Sequence, residues 1–78
     1  MTAVDVVFHY GQVPTAPTLR AIQGLREVYG IRAIRFSEAE RTVRVEYDAS
    51  RLSEPLVAGL LRRTGLELLD KVDQLSPA

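Results

Sequence analysis

Residues 3–10 alternate between apolar and polar side chains. The apolar set occupies every second position and consists of Val4, Val6, Phe8 and Tyr10. The opposite set is Asp5, Val7 and His9. A period of two is typical of a β-strand that buries one face. The segment therefore predicts a first strand whose second face meets solvent.

Residues 31–37 and 42–48 also alternate, and the polar-rich residues 38–41 separate them. Two alternating runs joined by so short a connection predict an antiparallel hairpin. A further apolar pattern over residues 66–72 predicts a last strand, with Leu66 as its first inward residue. Four strands are thus expected.

Helical spacing appears between the first and second strands, over residues 17–29. Thr15 is placed to cap the helix, and Pro17 fits the first turn because that N–H has no intrahelical partner. Gly30 lies where a left-handed residue commonly ends a helix. The predicted buried stripe consists of Ala21, Ile22, Leu25, Val28 and Tyr29.

A second helix is predicted between the third strand and Gly65. Ser53 is its expected cap, followed by Glu54 and Pro55 in the first turn, where an acidic residue and a proline are both favourable. Its predicted buried stripe consists of Leu56, Val57, Leu60 and Leu61.

The resulting order is β-α-β-β-α-β, which predicts an α+β fold of the ferredoxin-like kind. In this sandwich a four-stranded antiparallel sheet carries two helices on one face, and the crossover rule places the first and third strands in the centre. We expect residues 1–78 to form a single domain with an ordered core of about residues 3–72, and residues 73–78 to fray.

Composition narrows the classes of function. The chain has no cysteine, so disulfides, thiolate metal sites and thiol nucleophiles are excluded. Ten basic residues balance ten acidic ones, so no net field favours nucleic acid. No run approaches the roughly 18 apolar residues of a membrane span, and the N-terminus lacks a signal-peptide pattern. We therefore expect a cytoplasmic protein without membrane insertion.

Several short motifs resemble the heavy-metal-associated (HMA) domain of copper chaperones and of metal-pumping ATPase tails. Gly30-Ile31 matches the family's Gly-Val after the first helix, and residues 43–48 match the end of its hairpin. Ser53 and Gly65 match the start and the end of its second helix. The resemblance extends over residues 4–70 and implies the same ferredoxin-like fold.

The family's metal-binding loop has the pattern Gly-Met-x-Cys-x-x-Cys. In this alignment Gly11 matches the glycine, Gln12 the methionine, and Pro14 and Pro17 the two cysteines. The family's site depends on two thiolates near a helix N-terminus, which bind soft Cu(I) or Zn(II). Proline offers no donor atom, so the resemblance implies an HMA-like domain without the metal site. No cofactor is expected.

The sequence offers little support for metal binding without cysteine or for catalysis by a serine nucleophile. The alternative function, metal binding or transport by a non-cysteine site, depends on His9 and Met1, and one histidine with nearby carboxylates is a poor transition-metal site. Ser37, Ser50 and Ser53 lack a base arranged with them. We therefore predict that the protein is not an enzyme.

The remaining prediction is a role in protein interaction or regulation. Family members dock on partners through the loop and the first helix, where charge complementarity selects the partner. The corresponding residues here are Val13, Pro14, Pro17, Arg20, Gln23 and Arg26. The resemblance implies a protein partner, either a metal transporter or a second copy of the domain.

The open face of the sheet supplies two further considerations. Val7 and Leu69 are predicted to lie side by side there, which suggests self-association as an alternative mode. RNA-binding domains of the same fold stack bases on aromatic residues of the central strands. The outward residues here include no aromatic side chain, so we predict no nucleic-acid partner.

Overall fold

The computed structural model describes residues 3–72, and Met1, Thr2 and residues 73–78 lie outside that range. The elements follow the predicted order β-α-β-β-α-β. The strands are β1 (Ala3–Tyr10), β2 (Ile31–Ser37), β3 (Thr42–Asp48) and β4 (Leu68–Lys71), and the helices are α1 (Ala16–Leu25) and α2 (Glu54–Arg63). The expected fraying of residues 73–78 concerns residues that are not described.

The four strands form one antiparallel sheet in the order β2-β3-β1-β4. The ferredoxin-like α+β fold is therefore confirmed, with β1 and β3 in the centre as predicted. Pairing of Val6 with Val45 and of Phe8 with Val43 places their apolar side chains on the same face. That face is buried beneath the two helices, and the other face is open.

The core joins this sheet face to one stripe of each helix. Ile22 of α1 and Val57 and Leu61 of α2 are almost completely buried. The prediction for α2 was wrong at Leu56, which is 49% exposed, while Ala58 is buried instead. At about 100° per residue, positions 57, 58 and 61 share one side of a helix, and position 56 turns toward solvent.

Helix α1 ends at Leu25, four residues before the predicted end at Tyr29. Its last turn tightens, since the amides of Glu27 and Val28 bond to carbonyls three residues earlier. Tyr29 is 72% exposed rather than buried, and its ring lies 4.1 Å from the Arg51 guanidinium carbon. Ala21, also predicted in the stripe, is exposed.

The predicted helix starts are confirmed. The side chains of Thr15 and Ser53 accept hydrogen bonds from the amides of Thr18 and Leu56, each at 3.4 Å. Gly65 adopts the left-handed conformation with φ +97°. Leu66, predicted to begin the last strand, is buried in the core but precedes β4. Neither α1 nor α2 is long and apolar enough to cross a membrane.

Candidate protein-interaction site

The loop between β1 and α1 is held at its first residue. The Gly11 amide donates to the Glu67 carbonyl at 2.9 Å, and the Gly11 carbonyl accepts from the Arg41 guanidinium. Arg41 lies in the hairpin turn and Glu67 lies just before β4. Three connections therefore meet at this end of the sheet, and they fix where the loop leaves β1.

The loop is also held at its far end. Thr15 caps α1, and its hydroxyl lies 3.2 Å from that of Thr18, which is buried in the first turn. Pro14 is half-buried, whereas Val13 is 63% exposed and Pro17 is exposed. The loop therefore presents Val13 to solvent on a framework restrained at both ends, and the first turn of α1 presents Pro17.

The exposed side of α1 continues from this loop. Helical geometry places residues 16, 19, 20 and 23 on one side, and Ala16, Leu19, Arg20 and Gln23 are all exposed. We name Val13, Pro17, Leu19, Arg20 and Gln23 the loop–helix surface. Leu19 is 42% exposed and was not predicted as part of the site. Leu19 lies three residues before Ile22, a spacing that places two residues close together on a helix surface, so the sequence pattern gave no signal of its exposure.

Arg26, another predicted partner residue, has a different environment. It is the C-terminal cap of α1, and its guanidinium donates to the Ile34 carbonyl at 2.8 Å. This bond ties the end of α1 to the edge strand β2. Because the guanidinium is already engaged within the chain, we leave Arg26 out of the loop–helix surface.

The positions that bind metal in the HMA family offer no ligand here. Pro14 and Pro17 lack donor atoms, and Gln12 is exposed. His9 lies on the open sheet face, with its Nδ1 3.5 Å from the Asp70 carboxylate. Residues 3–72 contain no group of three or more histidine and acidic side chains that could hold a metal ion. Met1, the other candidate, lies outside the described residues.

The serines near α2 have structural roles. The Ser50 hydroxyl donates to the Asp48 carboxylate at 2.7 Å, and its amide donates to the same oxygen at 3.0 Å. These bonds shape the turn between β3 and α2. Ser53 caps α2. Neither hydroxyl has a histidine beside it in the contacts of residues 3–72.

The predicted pairing of Val7 with Leu69 on the open sheet face was wrong. Val7 is only 6% exposed, and its carbonyl accepts from the Val72 amide at 2.8 Å. Phe8 pairs with Lys71 and Tyr10 pairs with Leu68, so Val7 lies beside Val72, and Leu69 lies nearer to His9 and Tyr10. An apolar patch of these two residues is therefore not formed.

No protein-family model matches the chain, and no curated protein sequence matches it. The HMA assignment consequently stays a prediction from the motifs described above.

Proposed function

We propose that the protein is an HMA-like domain without a metal site that acts as a protein-interaction module. It would bind its partner through the loop–helix surface and would catalyse no reaction. The observation that carries this proposal is the exposed Val13 on a loop restrained at both ends, followed by the exposed Leu19 on helix α1. Exposed apolar side chains that are held in place are typical of binding surfaces.

The restraint on the loop favours binding. A loop that already has its bound conformation loses less conformational entropy when a partner docks. Here the hydrogen bonds of Gly11 and the Thr15 cap order the loop, and the rings of Pro14 in the loop and Pro17 in the first turn of α1 fix the backbone φ angles at both positions. Proline at these positions therefore replaces a metal-binding loop by a stiff one.

The chemistry of the surface indicates the kind of partner. Val13 and Leu19 supply an apolar centre, and Arg20 and Gln23 supply a polar rim with one positive charge. A matching partner presents an apolar depression bordered by a carboxylate. The family resemblance suggests a soluble domain of a metal transporter as such a partner. Localisation in the cytoplasm is part of the same proposal.

Site-specific photo-crosslinking in the native cell tests this function. A photoreactive residue at position 13 or 19 is expected to capture one defined protein, identified by mass spectrometry as a component of metal transport. The same residue at Ala49, which is exposed in the turn after β3, is the control. Equal capture from position 49, or no capture from positions 13 and 19, contradicts the proposal.

Two matched variants separate binding from folding. Leu19→Glu and Leu56→Glu each place a charge at an exposed leucine, with exposures of 42% and 49%. Leu19→Glu is expected to abolish capture, and Leu56→Glu is expected to leave it unchanged. If both substitutions act alike, the loop–helix surface is not the binding site.

A further inference from the structure

In the part of the open sheet face formed by β1, β2 and β3, Asp5, Glu46, Arg35 and Arg44 lie in two neighbouring rows. Asp5 pairs with Glu46, which pairs in turn with Ala33, and these three residues form the acidic row. Val7 pairs with Arg44, which pairs in turn with Arg35, and these three form the basic row. Residues two apart on a strand share a face and lie roughly 6.7 Å apart. The two rows are therefore direct neighbours.

Each row places like charges directly opposite one another. Asp5 faces Glu46 across β1 and β3, and Arg35 faces Arg44 across β2 and β3. Like charges in directly opposed positions destabilise a sheet. The diagonal ion pair between Arg44 and Asp5, at 3.0 Å, offsets part of this cost. Glu46 and Arg35 make no ion pair within residues 3–72.

This arrangement becomes complementary when two copies face each other. We propose that the protein forms a homodimer through its open sheet faces, related by a two-fold axis that runs between the two rows. Rotation about that axis sets the acidic row of one copy over the basic row of the other. Glu46 of each copy then faces Arg44 of its partner copy. The like charges within each row are neutralised across the interface.

A depression on the open sheet face is consistent with the same two-fold axis. Asp5, Ala33, Arg35, Arg44 and Glu46 line a shallow depression, because the small Ala33 side chain leaves space on β2. The two-fold axis places the partner copy's Arg35 above Ala33, next to Glu46. A long side chain thus meets the depression, and its guanidinium meets a carboxylate.

The size of the face predicts a weak dimer. Four strands at about 4.8 Å spacing and about seven residues in length cover roughly 400 Å². Stable interfaces bury about 800 Å² on each partner. We therefore expect a dissociation constant on the order of 10–100 µM at low salt, which increases as salt screens the charges.

Sedimentation equilibrium of the full chain tests the dimer with two charge-reversed variants. Arg44→Glu makes the centre of the face acidic, and Glu46→Arg makes it basic. Each variant alone is expected to raise the dissociation constant at least tenfold, because like charges then oppose each other across the axis. An equimolar mixture is expected to form a heterodimer with about the wild-type affinity. In that heterodimer positions 44 and 46 are both acidic in one chain and both basic in the other, so each carboxylate faces a guanidinium.

The mixture makes the test independent of folding, because two misfolded variants do not restore each other's association. Circular dichroism checks each variant, and Glu46→Gln, which removes a charge without reversing it, is expected to weaken the dimer about threefold. A wild-type chain that stays monomeric at about 1 mM overturns the proposal. So does a wild-type dimer that neither reversal weakens, or a mixture of folded variants that stays monomeric.

Discussion

The loop–helix surface and the open sheet face differ in what they offer a partner. The first presents apolar side chains on a restrained loop, with Arg20 as its positive charge. The second presents, in the two rows, two acidic and two basic side chains around a largely buried Val7. Apolar burial depends weakly on salt, whereas exposed ion pairs weaken as salt is added. A chain without net charge thus carries two surfaces that respond differently to solution conditions.

The two surfaces also differ in how firmly the core supports them. The open sheet face stands on β1 and β3, whose inward residues include Val6, Phe8, Val43 and Val45, all buried. The loop–helix surface depends on α1, in which only Thr18 and Ile22 are buried. Elements with few buried contacts open at lower free energy than the rest of a protein. Helix α1 is therefore expected to open locally more readily than the central strands.

Removing the buried anchor of α1 gives the largest expected effect. Ile22→Ala, and Ile34→Ala on β2 as an equally buried control, should each lower the free energy of unfolding by about 2–5 kcal/mol, because each leaves a cavity. Native-state hydrogen exchange should show α1 amides opening selectively in Ile22→Ala. If hydrogen exchange instead becomes faster by the same factor throughout the chain in both variants, α1 does not open separately from the rest of the protein.

Sequence patterns identified the fold but not every surface residue. Alternation in the strands, the caps at Thr15 and Ser53, and Gly30 and Gly65 were sufficient to predict the element order. Tyr29 was misplaced because an apolar residue next to a helix end continues the pattern even after the last turn has tightened. Nothing in the local sequence shows that its ring instead contacts Arg51, which lies far along the chain.

The candidate sites show the same division between local and long-range information. The prolines at positions 14 and 17 can be read directly from the sequence. In contrast, the bond from Arg26 to the Ile34 carbonyl depends on where the edge strand lies. The pairing of β1 with β4 that separates Val7 from Leu69 is likewise a property of strand register. Such features depend on tertiary packing, which periodicity does not encode.

Removing a helix cap should have an intermediate effect. Thr15→Ala and Ser53→Ala delete caps of the same geometry, each with a 3.4 Å bond from the amide three residues on. Each should lower the free energy of unfolding by about 1 kcal/mol in urea titrations. Only Thr15→Ala should weaken crosslinking from position 13, because only that cap orders the loop. Equal loss of crosslinking in both variants would indicate a global effect.

Exchanging two charges on the open sheet face should have a smaller effect of opposite sign. Arg44→Glu combined with Glu46→Arg places a guanidinium at position 46 opposite Asp5 and a carboxylate at position 44 opposite Arg35. Both like-charge pairs become attractive, and these two new pairs outweigh the loss of the diagonal ion pair between Arg44 and Asp5, so the free energy of unfolding of the monomer should rise by about 0.5–1 kcal/mol. Thermal melts at low and high salt measure this change, which should shrink as salt increases. A fall in the free energy of unfolding would show that the like charges within each row do not repel each other as the strand register indicates.

Titration with metal ions should give the smallest effect. It tests whether an ion binds at the open sheet face or at the loop–helix surface. Isothermal titration with Zn(II) or Cu(I) should reveal no sub-micromolar site, because the prolines provide no ligand and His9 has only the Asp70 carboxylate near it among residues 3–72. Weak binding at higher concentration should shift the NMR signals of His9 and Asp70, and His9→Ala should remove those shifts. His9 lies on the open sheet face, so such binding leaves residues 12–17 unperturbed. A tight complex, or shifts centred on that loop, would mean that the loop–helix surface retains the metal chemistry of the family it resembles.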